Sequence, residues 1–269
     1  MEYLKIPYMK NLVKNITPNS LRNFLIRLGR FYSLENQRKN SFHQFPSQKG
    51  AFCTLKELGW NPQRCIDVGA YNGEWTRMFI SIFPDAKVLM IEAQEGKKEI
   101  LKNAISAIKK NNLEFEICLV GANDGKEVSF IEMGTGSSVY EESSYYKRTK
   151  TNKKLIRLDT LLENYPDFIA SNALKIDTQG YELEVLKGCP LLLKNLEVVL
   201  LEVSLVEINK RTPLFSEVVS FMACSGFKLF DFCSQIRRKD GVLWQTDLMW
   251  IRDDGKIEIP AELNEQNWG

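Results

Sequence analysis

Short apolar runs alternate with stretches of helical periodicity from residue 64 onward. The apolar runs predict strands at 64–68, 87–91, 114–120, 127–132, 172–177, 196–203, 227–233 and 243–251. The amphipathic stretches predict helices at 48–58, 73–83, 95–110, 158–164, 181–187 and 214–225. Strands that are apolar along their whole length are buried on both faces, and helices separate them here. The sequence therefore predicts an α/β fold with a doubly wound, mostly parallel, seven-stranded sheet.

The last two predicted strands break the parallel pattern. Only a short polar segment ending in Lys239, Asp240 and Gly241 separates them, and it cannot hold a crossover helix. This final pair must therefore be antiparallel. A second irregularity is the loop at 133–152, which is long for a compact domain and is expected to be functional or mobile.

The N-terminal part of the chain differs from the rest in charge. Residues 1–50 hold nine bases and two acids, a balance of +7, and the remainder of this +2 chain carries −5. Apolar positions at helical spacing predict an amphipathic helix at 20–32, capped by Ser20. We divide the chain into a basic helical extension (1–50), a main domain (51–255) and a tail (256–269). The extension packs on the main domain or on a second copy in a homodimer, or its bases bind an anionic acceptor or membrane surface.

Composition excludes several classes of protein. With 44% hydrophobic and 26% charged residues the chain is globular. No apolar stretch approaches the roughly 18 residues of a membrane span, and the first ten residues lack a secretory signal. We expect a cytoplasmic protein that could bind peripherally at a membrane surface. The six cysteines form no Cys-x-x-Cys pair and His43 is the single histidine, so we predict no metal ligands, disulfide framework or histidine-based catalysis.

Candidate binding residues lie where the first two strands end. In an open parallel sheet, ligands bind outside the carboxyl ends of the strands. The turn at 67–73 carries Gly69 and Gly73 and leads directly into a helix, and Glu92 ends the second strand. A glycine turn with a strand-end acid is typical of an adenosine-containing ligand, although a plain turn with a solvated Glu92 is the alternative. The spacing matches neither a dinucleotide fingerprint nor a phosphate-binding loop.

Several motifs then follow in order along the chain. They are DVGAYNGEWT at 67–76, Glu92, SSVY at 137–140, RLDTLL at 157–162, LKIDTQGYE at 174–182, VLKG at 185–188 and LE at 201–202. Over about residues 52–252 this series resembles the FkbM-type methyltransferases. The resemblance implies the class I methyltransferase fold, S-adenosylmethionine as cofactor, and transfer to hydroxyl groups of small molecules, sugars or glycans, including nucleotide-sugars.

The resemblance also implies a set of cofactor-binding residues. They are Asp67, Gly69, Ala70, Tyr71, Asn72, Gly73, Glu92, Ala93, Gly121, Asn123, Ser138 and Asp177. Among them, the turn at 67–73 would hold the methionine end and Glu92 the ribose. Two departures from the family pattern stand out. Ala122 lies where the family has an acid near the adenine, and Gln179 replaces a glutamate.

Without a histidine in the main domain, carboxylates must handle the proton of the acceptor. Asp177 and Glu202 end adjacent strands beside the expected methyl position, and we predict that Asp177 is the base or orients the acceptor, with Glu202 secondary. Mg²⁺ held by both carboxylates is the alternative, and it is less favoured because Gln179 removes an anionic ligand. Lys175 shares a strand face with Asp177 and is expected to pair with a carboxylate.

Three other functions compete with this interpretation. The basic extension could track a nucleic acid, but the turn at 177–180 lacks the Pro-Pro-aromatic pattern of amino-methylating enzymes, which makes nucleic acid an unlikely partner. An NAD(P)-dependent oxidoreductase is disfavoured by the spacing of the glycines. A catalytically inactive cofactor-binding relative stays open because of Gln179.

Overall fold

The computed structural model describes residues 46–108, 112–141, 148–207 and 209–260. The predicted helix at 20–32, His43 and most of the basic extension lie outside these residues. The strands are β1 (Arg64–Val68), β2 (Lys87–Glu92), β3 (Leu113–Ile117), β4 (Leu119–Val120), β5 (Glu127–Glu132), β6 (Thr149–Ile156), β7 (Ala173–Ile176), β8 (Val198–Ser204), β9 (Phe227–Phe232), β10 (Ile236–Arg237) and β11 (Leu243–Arg252).

Helices occupy most of the connections between the parallel strands. They are α1 (Gln48–Glu57), α2 (Glu74–Ile82), α3 (Lys98–Ile108), α4 (Leu158–Leu161), α5 (Glu182–Lys187), α6 (Pro190–Leu193) and α7 (Phe215–Cys224). Short 3₁₀ turns lie at Glu95–Lys97, Gly134–Gly136, Leu162–Asn164 and Pro166–Phe168. Helix α1 begins where Ser47 Oγ accepts the N–H of Gly50 at 3.0 Å, which satisfies one of the free donors of the first turn.

The main sheet confirms the predicted topology. Its eight strands follow the order β10-β11-β8-β7-β1-β2-β3, and β9 also pairs with β11. The pairs from β8 to β3 are parallel, whereas β11 is antiparallel to β8, β9 and β10. The final strand pair is therefore antiparallel, as the short connection predicted. Strands β9 and β10 follow one another along the same edge of β11, so the sheet has one strand segment more than the predicted seven.

A second, three-stranded sheet in the order β4-β6-β5 corrects two predictions. The predicted strand at 114–120 divides at Cys118: β3 pairs with β2 in the main sheet, and β4 pairs with β6 in the small one. Strand β6 begins inside the segment predicted to be a loop, at Thr149. Its sequence, TKTNKKLI, has few apolar residues, and β5 pairs with it from Thr149 to Lys154. This strand forms through backbone pairing with β5, and such pairing leaves no hydrophobic periodicity in the sequence from which the strand could be predicted.

Each face of the main sheet is covered by its own hydrophobic cluster. Ile66, Leu89, Leu174 and Val199 belong to one cluster, and their chain neighbours Cys65, Val88, Ala173 and Leu200 belong to the other, as the two-residue period of a strand requires. On the second face, Phe52 of α1 meets edge to face the rings of Phe79 in α2 and of Phe83, the residue that follows α2. Among the described residues, no helix is long and apolar enough to cross a membrane.

Candidate functional site

A cavity of about 260 Å³ opens at the carboxyl ends of β1, β2 and β7. This is the edge of the sheet at which the sequence placed a ligand. The cavity is lined by Val68, Gly69, Ala70, Tyr71, Glu74, Trp75, Ile91, Glu92, Ala93, Gln94, Cys118, Leu119, Val120, Phe130, Gly134, Thr135, Ser137, Val139, Lys175, Asp177, Thr178, Gln179 and Tyr181.

The turn after β1 forms one wall of the cavity, and glycine is required in it. Gly69 has a φ of 77°, in the left-handed region, and its N–H donates to the carbonyl of Ile91 at 2.9 Å. A Cβ atom at Gly69 would lie 1.9 Å from the carbonyl oxygen of Asp177, which belongs to the neighbouring strand end. The missing side chain thus lets the turn after β1 pack directly on the backbone at the end of β7.

Glu92 closes the adjacent side of the cavity with a carboxylate that is fixed in place. It is 4% exposed, one oxygen accepts the N–H of Tyr71 at 2.7 Å, and the other accepts the N–H of Gln94 at 2.8 Å. Each carboxylate oxygen has two acceptor sites, so both oxygens can accept one further hydrogen bond. The carboxylate is therefore both immobilised and able to bind ligand hydroxyls.

Lys175 connects the first strand to the seventh. Its Nζ donates to the carbonyl of Gly69 at 3.0 Å and lies 3.1 Å from Asp67 Oδ1 and 3.6 Å from Asp177 Oδ2. Burial lowers the pKa of Lys175, but the attraction of Asp67 and Asp177 outweighs burial and leaves this pKa raised. Lys175 is thus a charged lysine in an ion pair, as the sequence predicted.

Asp67, which the family resemblance implied at the methionine end of the cofactor, is tied to side chains below the turn after β1. It is completely buried beneath the turn, where Oδ2 accepts the hydroxyl of Thr76 at 2.7 Å and Oδ1 faces Lys175. It does not line the cavity. The physical reason is the strand period: Asp67 precedes Val68 at the end of β1, and its side chain faces the layer beneath the turn. Asp67 holds Lys175, and Lys175 lines the cavity.

Asp177 and Glu202 are joined by one carboxamide. Gln179 Nε2 donates to Asp177 Oδ1 at 2.9 Å and to Glu202 Oε2 at 2.7 Å. The Asp177 side chain is 40% exposed and lines the cavity, whereas Glu202 is buried and does not. Burial, followed by the charge of Asp177, raises the pKa of Glu202 well above its ordinary value. Of the two predicted catalytic carboxylates, Asp177 is the one that a ligand in this cavity can touch.

A further buried carboxylate shapes the loop after β7. Glu182 Oε1 accepts the N–H of Thr178 at 2.8 Å, the hydroxyl of Thr178 at 3.2 Å and the N–H of Gly180 at 3.1 Å. Burial raises the pKa of Glu182 to about 7, although these hydrogen bonds act in the opposite direction. The Glu182 carboxylate accepts the N–H groups of the loop in place of backbone carbonyls. Since these N–H groups lie on either side of Gln179, the carboxylate fixes the position of Gln179.

Two glutamines and an aspartate also reach this site, and the sequence analysis missed them. Asp247 lies opposite Glu202 on β11, and Gln48 Nε2 donates to its Oδ2 at 2.7 Å. Gln245 Nε2 donates to Glu202 Oε2 at 3.1 Å. Because β11 runs antiparallel to β8, its first residues lie beside the last residues of β8. The prediction that the final strand is antiparallel could have placed Gln245 and Asp247 near this site.

The segment at 137–141 forms the outer rim. Ser138 Oγ and Asn209 Nδ2 both donate to the carbonyl oxygen of Gln179, at 2.8 and 2.7 Å. The rings of Tyr140 and Tyr181 meet edge to face with centroids 5.2 Å apart. The long segment after β5 is therefore tied to the loop after β7. Ser138 is buried and shapes the rim from behind, while its neighbours Ser137 and Val139 line the cavity.

The other predicted cofactor residues divide into two groups. Gly69, Ala70, Tyr71, Glu92, Ala93 and Asp177 line the cavity. Asn72, Gly73, Gly121 and Asn123 do not line it, and their role in cofactor binding stays a prediction. Asn72 accepts a hydrogen bond from Lys97 Nζ at 2.9 Å, Gly73 begins α2 in the left-handed region, and Asn123 is exposed. The backbone of Gly121 packs against Gly188, because a Cβ atom at Gly188 would lie 2.1 Å from the Gly121 carbonyl oxygen.

The described residues contain no group of three or more histidine, cysteine, aspartate or glutamate side chains arranged to hold a metal ion. At the acid-rich end of the site, glutamine amides donate to Asp177, Glu202 and Asp247, and Lys175 also faces Asp177. The cavity wall also contains Trp75, whose buried indole N–H has no hydrogen-bond acceptor within the described part of the chain.

Comparisons with known proteins identify the family of the chain. The sequence profile of the methyltransferase FkbM domain matches residues 67–229, more than half of the chain. The FkbM methyltransferase of Methylobacillus flagellatus KT is similar in structure, with a TM-score of 0.49, 14% identity, and coverage of 91% of this chain and 58% of the other. The chain thus spans less than two thirds of that protein.

A second similar structure is precorrin-6y C5,15-methyltransferase of Geobacter metallireducens GS-15. Its TM-score is 0.44, its identity is 12%, and the match covers 78% of this chain and 94% of the other. No curated protein matches the chain.

Proposed function

The chain belongs to the FkbM methyltransferase family, and from this membership we propose that it transfers the methyl group of S-adenosylmethionine to a hydroxyl group of a small molecule, sugar or glycan. One observation carries the proposal. The glycine turn after β1, the immobilised Glu92 and the cavity-facing Asp177 surround a single cavity at the carboxyl ends of the strands.

The residues that line the cavity fit an adenosine-containing cofactor. Glu92 retains acceptor capacity on both oxygens, which suits the two hydroxyls of a ribose. The wall formed by Cys118, Leu119 and Phe130 supplies an apolar surface for a planar base. Trp75 offers a buried N–H without an acceptor at the wall where α2 begins, and an oxygen of the ligand could satisfy it. These features support binding of the cofactor across the ends of β1 and β2.

Charge at the other end of the cavity also supports a cationic cofactor. Lys175 faces two carboxylates, Asp67 and Asp177. Burial raises the pKa values of Glu182, Glu202 and Asp247 and so favours their neutral forms. The negative charge of Asp67 and Asp177 still exceeds the charge that Lys175 supplies. A sulfonium is attracted to such a site more strongly than the neutral thioether that remains after transfer. The same imbalance favours a neutral acceptor hydroxyl over an anionic group close to the point of transfer.

The bound cofactor supplies an activated methyl group, and transfer requires an acceptor oxygen in line with it. The protein's contribution is position and proton handling. Asp177 reaches the cavity with both oxygens held, one by Gln179 and one facing Lys175, so its orientation toward an acceptor hydroxyl is fixed. We assign Asp177 to accept or orient the hydroxyl hydrogen. Glu202, behind Gln179, acts only through that amide.

Binding and turnover experiments test the proposal in two steps. Isothermal titration calorimetry should detect S-adenosylhomocysteine binding to the full chain, with no heat from NAD⁺. A panel of sugars, glycans and nucleotide-sugars, incubated with S-adenosylmethionine, should then yield a product heavier by one methyl group in mass spectrometry. Binding of NAD⁺ in place of the homocysteine compound would overturn the proposal.

The variant Asp177→Asn separates binding from transfer. It should retain S-adenosylhomocysteine affinity within about threefold, since only the charge is removed, and lose at least about 100-fold in transfer rate, within the range for general acid–base groups. Glu184→Gln is the matched control, because Glu184 pairs with Lys187 at the surface and does not line the cavity. A fully active Asp177→Asn enzyme would remove Asp177 from its assigned role.

A further inference from the structure

A single amide connects two carboxylates at the acid-rich end of the cavity, and this connection goes beyond the assignment of the reaction. The two hydrogens of the Gln179 amide are both used, one on Asp177 Oδ1 at 2.9 Å and one on Glu202 Oε2 at 2.7 Å. A carboxamide nitrogen donates two hydrogen bonds and binds no cation. The place between the two carboxylates is therefore filled by a neutral donor.

The backbone holds Gln179 in this position. Its φ of 53° lies in the left-handed region, which is unfavourable for a residue with a side chain. Ser138 and Asn209 both donate to its carbonyl oxygen, and Glu182 accepts from the flanking N–H groups of Thr178 and Gly180. A residue in such a conformation persists only where its surroundings determine it fully. Three separate segments of the chain thus serve to direct one amide between two acids.

Asp177 and Glu202 also have partners other than the Gln179 amide, and these partners show what the amide contributes. Lys175 faces Asp177 Oδ2, and Gln245 donates to Glu202 Oε2 at 3.1 Å. Lys175 is therefore the cation on the Asp177 side, and Glu202 is held by two neutral amides. The carboxylate–amide–carboxylate bridge fixes Asp177 Oδ1 while Oδ2 stays with Lys175.

We propose that the Gln179 carboxamide stands in the place of a divalent cation between Asp177 and Glu202, as a positioning residue that aims Asp177 into the cavity without a metal. The amide and a cation would perform the same geometric task, but the amide adds no charge. Only the role of Asp177 toward an acceptor hydroxyl rests on the proposed function. The hydrogen-bonded bridge itself can be tested without any acceptor.

Metal titration tests the proposal directly. Titration of Mn²⁺, followed by calorimetry and by the loss of the free-ion signal in electron paramagnetic resonance, should detect no site in the wild-type chain up to about 1 mM. Gln179→Glu supplies a third carboxylate in the same place and should create one Mn²⁺ site at least about 30-fold tighter than any wild-type binding. Adding Glu202→Gln to this variant should abolish the site.

Each outcome decides the proposal. Stoichiometric Mn²⁺ binding to the wild-type chain that Asp177→Asn removes would overturn it, and this measurement needs no Gln179 variant. A folded Gln179→Glu protein that binds Mn²⁺ no better than wild type would also overturn it. If Gln179→Glu does not fold, the Mn²⁺ titration of the wild-type chain and of Asp177→Asn decides the proposal. S-adenosylhomocysteine binding is measured in parallel, so failure of the proposed function is seen separately from failure of the bridge.

Discussion

The two ends of the cavity are built in different ways. At the ends of β1 and β2, the wall is a glycine turn and one carboxylate, and Glu92 is held by backbone groups at Tyr71 and Gln94. At the ends of β7 and β8, the wall is a network of charged and amide side chains that includes Lys175 and Gln179. The first end depends on backbone shape and the second on the balance of buried charge.

Because of this difference, different kinds of substitution should damage the two ends of the cavity. A backbone-shaped wall fails when a side chain is added, because nothing can move aside. A charged network fails when one member is removed, because the partner remains buried without compensation. The first defect should appear mainly in cofactor affinity, and the second mainly in the stability of the fold and in its dependence on pH.

The largest expected effect comes from removing the buried cation. Lys175→Met should lower the free energy of unfolding by about 3–5 kcal/mol, because Asp67 is completely buried and would lose its charged partner. Urea denaturation followed by circular dichroism measures this loss.

The double variant Asp67→Asn with Lys175→Met is the control for this prediction. It removes the orphaned charge as well and should recover at least about 1 kcal/mol of the loss, since neighbouring charges in one network are not additive. A Lys175→Met protein as stable as wild type would mean that the charged end tolerates deletion, and the contrast between the two ends would fail.

Adding one methyl group at the other end should act on binding. Gly69→Ala places a Cβ atom where 1.9 Å separates it from the Asp177 carbonyl oxygen, in a residue whose φ is 77°. We expect S-adenosylhomocysteine affinity to fall by about 100-fold, or about 2.7 kcal/mol, because the turn must move away from β7. Calorimetry of the variant measures the change.

Gly96→Ala provides a matched control. Gly96 lies in an exposed turn beyond β2, and a Cβ atom there would meet nothing within 4 Å. This variant should bind within about twofold of wild type. Equal losses in both variants would show that the turn after β1 is not shaped by its approach to β7.

The sequence predicts the two ends of the cavity unequally for the same physical reason. Gly69 and Glu92 stand at ends of apolar runs, and the rule that ligands bind beyond strand ends finds them without a structure. The contact between Gln48 and Asp247 joins residues 199 positions apart, and nothing in the local pattern of either residue records it. The strand-end rule finds single residues such as Gly69, Glu92, Asp177 and Glu202, whereas the contacts between distant residues depend on the topology.

The fold follows the same division. Apolar strands such as β7 and β8 were predicted almost to their boundaries because both faces are buried. Strand β6 was missed because its mostly polar sequence lacks an apolar pattern, and it is held by backbone pairing with β4 and β5. The sequence identified Gln179 as a departure from the family pattern. Its hydrogen bonds to Asp177 and Glu202 require a left-handed backbone at Gln179, and the neighbouring sequence does not predict that conformation.

The smallest expected effect concerns the protonation of the charged end. Glu182 has a pKa raised to about 7 by burial, above its ordinary 4.5. The folded chain therefore binds a proton at pH 5.5 that the unfolded chain has released, and stability from this group falls as pH rises through about 7. Between pH 5.5 and pH 8 the loss should be about 2 kcal/mol.

Glu182→Gln isolates this contribution, because glutamine keeps an acceptor oxygen for Thr178 and Gly180 but does not titrate. Urea unfolding at several pH values should show a decline from pH 5.5 to pH 8 that is shallower in the variant by about 2 kcal/mol. Glu184→Gln, on the same helix and at the surface, should keep the wild-type slope. If Glu182→Gln retained that slope as well, the pH dependence of stability would have to come from Glu202 and Asp247, whose pKa values burial also raises. That result would move the titrating site from the loop after β7 to the pair of facing strands β8 and β11.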